Sequence, residues 1–187
     1  MLSADNVRHF ADIIQQGGVI AYPTETVFGL GCDPKQPQAI TRLLNLKNRP
    51  ANKGLILLAA TAEQLQPYSD LSLTQLKQIL NTHTDHPTTW LVPKSSAATP
   101  LITGDFNTVA IRITQHPHII QLCNKLNAAI TSTSANLSQH PTAQSSQQIA
   151  DTFNQQLDGI IPGKSGGQSA SQIIDWKTNR VIRSIQT

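Results

Sequence analysis

Three cationic residues fall within seven positions, Lys47, Arg49 and Lys53, in a chain of which only 13% is charged. Apolar residues at helical spacing precede them and predict a helix that ends near Lys47, while Pro50 biases Arg49 toward an extended conformation. Residues i and i+2 of an extended segment share one face, so Lys47 and Arg49 are predicted to point together at an anion. The alternative is a solvated helix end whose cations complement the helix dipole.

Hydroxyl and amide side chains fill residues 132–136, directly after a strand predicted at 128–132. If this segment is extended, Ser134 and Asn136 face one way and offer neutral donors and acceptors to a polar ligand. A turn that satisfies its own backbone is the alternative.

Two arginines stand alone among apolar residues of predicted strands, Arg112 in 109–113 and Arg183 in 181–183. A charged side chain in such a setting must find an anionic partner or reach solvent. Together with the three cations above, these arginines predict a concave basic site for a polyanion, most simply a triphosphate.

Gly163-Lys164-Ser165 has the ending of a phosphate-binding P-loop but not its spacing. The leading glycine should stand at position 158, which is Asp158, and the two glycines at 166–167 cannot readily begin the required helix. We therefore interpret this segment as a glycine loop near a ligand or a simple turn.

Metal and disulfide sites are also disfavoured. The pairs His83 with His86 and His116 with His118 have no third ligand at a recognised spacing, so no protein-held metal is expected. The two cysteines, Cys32 and Cys123, lie far apart in different predicted settings and are expected to be reduced thiols.

The chain has 187 residues, enough for one hydrophobic core, and we expect a single domain over 1–187. A net charge of +3 permits a nucleotide or RNA partner without requiring one. No apolar run approaches the roughly 20 residues that span a bilayer, and no basic and apolar leader begins the chain, so a cytoplasmic location is expected.

Predicted strands alternate with predicted helices along the whole chain. The loop at 23–33 shows neither helical nor strand periodicity, and it should fold inward because it is largely apolar. The expected fold is α/β, a twisted mixed β-sheet with flanking helices, a basic concave site and an antiparallel strand pair at the C-terminal end. Helices are expected from about 3 to 16, up to 47, at 61–66, 73–80 and 117–126, and from 145; strands are expected at 19–22, 55–60, 88–92, 108–113, 128–132, 159–161, 173–174 and 181–182.

Five segments in order carry a resemblance that spans nearly the whole chain: residues 21–31, 46–50 with 53–57, 109–113 with 116–117, 132–138, and 171–175 with 183. They resemble the threonylcarbamoyl-AMP synthases, the TsaC or YrdC-like proteins of tRNA modification, in their short bacterial form. The YrdC-like fold is therefore expected.

The resemblance implies an enzyme that joins L-threonine, bicarbonate and ATP into threonylcarbamoyl-adenylate and releases pyrophosphate. It implies that Mg²⁺ arrives with ATP, and that proteins of the TsaD, TsaB and TsaE type transfer the product to tRNA. Direct affinity for tRNA is a further possibility, and no membrane partner is implied.

The resemblance also implies residue roles. Its Lys-x-Arg pair falls on Lys47 and Arg49, the expected catalytic residues, whereas Leu58 stands where longer relatives often carry a histidine. Contacts on the threonine and bicarbonate side are expected from Thr24, Arg112, Ser134 and Ser171, and nucleotide contacts from Arg49, Lys53, Thr108, Asn136 and Arg183.

A function of another class is an RNA-binding module that uses the same basic surface without catalysis. Single-strand RNA platforms usually interleave several aromatic residues with cations. Here only Trp176 accompanies a cationic segment, and aromatic residues make up 4% of the chain, which favours the enzyme.

Overall fold

A mixed nine-stranded sheet runs through the part of the chain that the computed structural model describes, residues 1–136, 142–143, 145–153, 155–167 and 169–185. Among the helices within these ranges, none combines the length and the apolar composition that a membrane span requires. The helices are α1 (Ala4–Gln15), α2 (Pro37–Leu46), α3 (Ala62–Leu65), α4 (Leu73–Leu80), α5 (Pro100–Thr103), α6 (Pro117–Leu126) and α7 (Ser146–Phe153). The strands are β1 (Ile20–Tyr22), β2 (Gly29–Gly31), β3 (Ile56–Ala59), β4 (Thr88–Pro93), β5 (Thr108–Ile113), β6 (Ile130–Ser134), β7 (Gly159–Ile160), β8 (Gln172–Asp175) and β9 (Val181–Arg183).

The strand order is β7-β1-β2-β6-β3-β5-β4-β8-β9. Three neighbouring pairs are parallel, β1 with β7, β3 with β5 and β4 with β8, and the other five are antiparallel. The last two strands form the antiparallel pair expected from the sequence. The prediction of an α/β fold with a mixed sheet is confirmed.

Helices α1 and α6 cover one end of one sheet face. Ser3 caps α1 by accepting a hydrogen bond from the Asn6 backbone N–H. The stripe predicted for this helix is buried as expected, and it joins a cluster on the sheet that includes Tyr22, Leu58 and Ile130. The stripe consists of Val7, Phe10, Ala11 and Ile14.

The opposite face carries the larger core. Ile40 and Leu43 of α2 and Leu76 of α4 pack in one cluster with Leu57 of β3 and Ile111 of β5. Successive strand residues point to opposite faces, so Ile56, Ala110 and Ser132 lie on the other face of the sheet. This is the face that α1 and α6 cover, but these helices cover only its other end. The uncovered half of that face forms the floor of the site described below.

Two strand assignments differ from the sequence expectations. Residues 29–31 were expected in an irregular loop, yet they form β2 between β1 and β6. Gly31 suits this place because a Cβ there would lie 2.0 Å from the Thr131 carbonyl oxygen. Strand β6 also continues to Ser134, so the hydroxyl run lies within the strand and not after its end.

The end of α2 corrects the predicted geometry of the first cationic segment. Lys47 is the C-cap in a helical conformation, and Asn48 has φ +48°. The Asn48 N–H donates to the Asn45 carbonyl, and the Arg49 N–H to that of Leu44, which together form a Schellman motif. The predicted extended conformation from Lys47 to Arg49 is therefore wrong, although the helix ends where expected.

Candidate active site

A cavity of about 290 Å³ opens on the uncovered half of the sheet face. Its floor includes Ile56 of β3, Ala110 of β5 and Leu91 of β4, and Ser132 of β6 also lines it. The lining contains eight of the ten site residues expected from the sequence, namely Thr24, Arg49, Lys53, Thr108, Arg112, Ser134, Ser171 and Arg183. Lys47 and Asn136 lie outside the lining.

Cations dominate the charge of this cavity, since the described residues that line it include no carboxylate and four cationic side chains: Arg49, Lys53, Arg112 and Arg183. Burial, followed by the charges of Arg112 and Arg49, lowers the pKa of Arg183, and burial lowers the pKa of Arg49. Arginine stays protonated despite such shifts. An anion in the cavity would relieve the repulsion among these groups, so the site suits a polyanion.

Arg112 is held from one side by a carboxylate. Its Nη2 lies 2.6 Å from Glu25 Oε1, and Thr114 donates a hydrogen bond to Glu25 Oε2 at 3.1 Å. Burial raises the pKa of Glu25, but the charge of Arg112 and hydrogen bonds from Thr114 and the Glu25 backbone N–H outweigh it and lower that pKa below its usual value. Glu25 is therefore ionised at neutral pH and orients Arg112.

A chain of hydroxyl groups extends from the same guanidinium. Thr24 Oγ1 donates to the Val27 carbonyl at 2.7 Å, so Thr26 must be the donor in its 2.8 Å contact with Thr24. Thr26 Oγ1 in turn accepts from Arg112 Nη1 at 3.3 Å. Arg112 Nε is buried and has no hydrogen-bond partner among the described residues, which leaves a donor for a ligand.

Arg183 and Ser171 form one wall of the cavity. Arg183 Nε and Nη2 donate to the Ser171 carbonyl at 3.0 and 2.6 Å. The Ser171 hydroxyl shares a 2.8 Å hydrogen bond with Thr89 Oγ1, and Ser171 as a residue is 2% exposed. These contacts fix both expected site residues against β4.

Arg49 is anchored beside the short 3-10 turn Ala51–Lys53 that follows it. Its Nη2 and Nε donate to the Gly54 carbonyl at 2.9 and 3.3 Å, and Nη2 also reaches the Lys53 carbonyl at 3.4 Å. The guanidinium therefore stabilises the turn that carries Lys53 and stays in the cavity lining.

Lys47 lies outside the cavity lining and is 3% exposed. Its Nζ donates to the backbone carbonyls of Ser134 and Asn136, the latter at 2.6 Å, and to Asn136 Oδ1 at 3.3 Å. Burial, followed by the charge of Arg49, lowers the pKa of Lys47 to about 8. Lys47 and Arg49 thus contact different partners and do not share the orientation that the sequence predicted.

Sequence reasoning missed several residues of the site. Glu25 and Thr26 lie in the segment with no periodicity, and their partner Arg112 comes from a distant strand. Ser132 carried a usable signal, because it stands two residues before Ser134 and a longer strand puts both on one face. The exposed Phe106 and Ile182 also line the cavity and carried no signal.

The glycine segment at 163–167 does not have the geometry of a phosphate-binding P-loop. Residues 163–167 form no helix, and the N–H groups of Gly166 and Gly167 donate to the carbonyls of Thr24 and Thr26. Leu58 is 1% exposed and belongs to the α1 and α6 cluster. Residues 137–138 of the fourth resembling segment lie outside the described ranges.

The histidines, carboxylates and cysteines of the described residues are the candidate metal ligands and thiols. No group of three His, Cys, Asp or Glu among the described residues could hold a metal ion. Cys32 and Cys123 are free and buried, and burial raises the pKa of Cys32 to about 11.

Comparison with known proteins identifies the family of the chain. The model of the Sua5/YciO/YrdC family, whose description is "Telomere recombination", matches residues 12–184. The chain belongs to this family. The matched range contains every residue assigned above to the cavity.

Two curated relatives are similar to this chain over nearly their full length. Both are named threonylcarbamoyl-AMP synthase. The one from Vibrio parahaemolyticus is 42% identical over 96% of this chain and 98% of its own, and the one from Photobacterium profundum is 43% identical over the same shares.

Solved structures agree with the family assignment. P. abyssi Sua5 complexed with L-threonine superposes with a TM-score of 0.90 at 29% identity, over 99% of this chain and 55% of that one. This chain therefore spans about half the length of that protein. E. coli YciO, at 24% identity and a TM-score of 0.86 over 99% of this chain and 91% of its own, shares the fold.

Proposed function

We propose that this chain is a threonylcarbamoyl-AMP synthase, which forms threonylcarbamoyl-AMP and pyrophosphate from L-threonine, bicarbonate and ATP. The observation that carries the proposal is one cavity that combines a carboxylate-oriented arginine, Arg112, with three further cations. Relatives of this name at 42% and 43% identity support the same reaction.

The threonine end of the cavity is proposed to lie at Arg112. The unused, buried Nε–H of Arg112, together with the second hydrogen on one of its terminal nitrogens, can bind a carboxylate in two-point geometry, which a lysine ammonium cannot reproduce. Thr24, Ser134 and Ser171 line the same cavity and supply hydroxyl groups near the bound amino acid. The L-threonine complex of P. abyssi Sua5 supports threonine as the amino acid.

The nucleotide end is proposed to lie at Arg49, Lys53 and Arg183, with Thr108 as a hydroxyl donor. A cation within about 4 Å of an anionic oxygen contributes up to about 4 kcal/mol at an effective dielectric constant near 20. Arg49 is proposed to neutralise the charge that grows on the departing pyrophosphate.

Lys47 is proposed to act with Arg49 through the Ser134–Asn136 segment. Its ammonium holds two backbone carbonyls and the Asn136 side chain, so it fixes the direction of Ser134 and Asn136. Asn136 would then reach the nucleotide from the edge of the cavity.

The proposed reaction needs no protein nucleophile. The threonine amine attacks bicarbonate, which loses water and leaves a carbamate. A carbamate oxygen then attacks the α-phosphorus of ATP, and the bond to pyrophosphate breaks. Two anions must be brought together in this step, so catalysis rests on positioning and electrostatic stabilisation by the cavity cations.

Mg²⁺ is proposed to arrive with the phosphates of ATP, because the described lining supplies cations and hydroxyl groups, not carboxylate ligands. When bound it would neutralise phosphate charge. We further propose that the chain acts in the cytoplasm, that TsaD, TsaB and TsaE type proteins consume its product, and that tRNA can bind to its basic surface.

The cavity favours this enzyme over an RNA-binding module. Arg112 is only 5% exposed, too deep for a sugar-phosphate backbone to reach. Trp176, the aromatic nearest to Arg183 in the sequence, packs against the core and is only partly exposed.

The proposal is tested by incubating the protein with ATP, bicarbonate and L-threonine and measuring pyrophosphate. We expect release that depends on threonine, and its absence would refute the enzyme assignment. Arg112→Lys should abolish most of this release because it keeps the charge and loses the two-point geometry. Arg42→Ala is the matched control, because Arg42 pairs with Asp158 at a partly exposed site outside the cavity.

A further inference from the structure

Two large apolar side chains remain exposed where the cavity meets solvent. Phe106 is 56% exposed and Ile182 is 52% exposed, and both line the cavity. Exposed apolar surface that borders a polar site commonly marks a ligand contact. The cations of the cavity explain how phosphate would bind, but they leave these two side chains without a role.

The exposure of Phe106 is fixed by its turn. Gly104 has φ +62°, and a Cβ there would lie 2.2 Å from the Asn52 carbonyl oxygen. The Gly104 N–H donates to the Pro100 carbonyl at 2.8 Å, and Lys94 Nζ donates to the Phe106 carbonyl at 2.9 Å. These contacts hold the backbone of the turn from which the Phe106 side chain lines the cavity.

Strand β5 runs along the cavity from its buried end, at Arg112, toward its exposed end. Arg112, Ala110 and Thr108 all line it, and alternate strand residues advance by about 6.6 Å, so Thr108 lies roughly 13 Å from Arg112. Phe106 precedes Thr108 by two residues and is much more exposed than Arg112. Ile182 is likewise adjacent to the cation Arg183 in β9.

We propose that Phe106 stacks against the adenine ring of ATP, with Ile182 as a second apolar contact, and that this pair determines affinity for the base. The inference rests on the proposed function, in which threonine binds at Arg112 and the phosphates bind at the cations. The base is the remaining apolar, planar part of ATP, and the ring of Phe106 is the exposed aromatic surface in the described lining.

Equilibrium binding of ATP and of inorganic tripolyphosphate to the whole chain tests this assignment. Phe106→Ala should weaken ATP binding by roughly 5- to 100-fold, which is about 1–3 kcal/mol, while tripolyphosphate binding changes by less than about twofold. Phe106→Trp should retain ATP binding, and Phe106→Leu should show an intermediate loss. Val181→Ala is the matched control, because Val181 is 50% exposed on β9 but does not line the cavity.

Three results would overturn the assignment: ATP binding by Phe106→Ala within about twofold of the parent, equal losses of ATP and tripolyphosphate binding, or an equal loss in Val181→Ala. Thermal unfolding of each variant checks that the fold is intact, and the Leu and Trp variants keep the test decisive if the Ala variant does not fold. Threonine-dependent pyrophosphate release by the parent protein is measured separately, so failure of the proposed function is distinguished from failure of this inference.

Discussion

Replacing Lys47 with Met tests whether this buried ammonium organises the Ser134–Asn136 segment. Met has a similar length and no donor, so the carbonyls of Ser134 and Asn136 lose the hydrogen bonds that Lys47 donates. Loss of a partner costs a buried acceptor about 1–3 kcal/mol, so the two together cost roughly 2–6 kcal/mol.

The wild-type protein carries an opposing cost, because burial lowers the pKa of Lys47 from 10.5 to about 8. The unfolded chain holds this proton more tightly than the folded one, so at pH values below about 8 the buried charge costs about 3 kcal/mol. The cost disappears as the pH rises from about 8 to 10.5, and the wild-type free energy of unfolding rises across that window.

The difference between the two proteins is therefore expected to change with pH. Near pH 7 the net effect of Lys47→Met on the free energy of unfolding should lie between a gain of about 1 kcal/mol and a loss of about 3 kcal/mol. By about pH 10 the loss should be larger by roughly 3 kcal/mol.

Urea unfolding of both proteins at several pH values measures the difference between their free energies of unfolding. All titratable groups other than Lys47 are present in both proteins, so their contributions cancel in this difference. A difference that stays constant with pH would refute the argument, since it would mean that folding leaves the pKa of Lys47 unchanged.

Three further substitutions test other parts of the site. Arg49→Ala should lower turnover by at least about 100-fold, on the order of 2.7 kcal/mol, with a nearly unchanged unfolding midpoint; early melting with full specific activity would show a structural role instead. Glu25→Gln should raise the KM for threonine by roughly 10-fold and change kcat less, because the carboxylate orients Arg112; an unchanged KM in steady-state assays would contradict this. Gly104→Ala should lower the free energy of unfolding by at least about 1 kcal/mol in urea titrations, because its φ is +62° and the new Cβ would meet the Asn52 carbonyl; wild-type stability would exclude that clash.

Local periodicity was sufficient to predict most of the fold. Helices α4 and α6 and strand β5 begin and end at the predicted residues, because each carries a strong apolar pattern of its own. Strand β2 was missed because three residues with two glycines have no pattern, and this segment is a strand only through its pairing with β1 and β6.

Some residues of the candidate site were predicted from the sequence and others were not. The lone arginines in apolar strands, Arg112 and Arg183, were predicted as site residues because a charge among apolar neighbours needs a partner or solvent, and both line the cavity. Glu25 was not predicted, because its pairing with Arg112 depends on how a distant loop folds against β5. Phe106 was not predicted either, since its exposure follows from contacts of the neighbouring turn.

The sequence alone determined which residues carry charge, which strands bear them and which family the motifs resemble. Only the tertiary structure decided which of those charges face the cavity. The clearest case is the Lys-x-Arg segment, where the left-handed backbone at Asn48 separates the directions of Lys47 and Arg49. A side chain's direction depends on the backbone conformation and on partners from elsewhere in the chain. Lys47 lies under Ser134 and Asn136 for that reason, while Arg49 remains in the cavity.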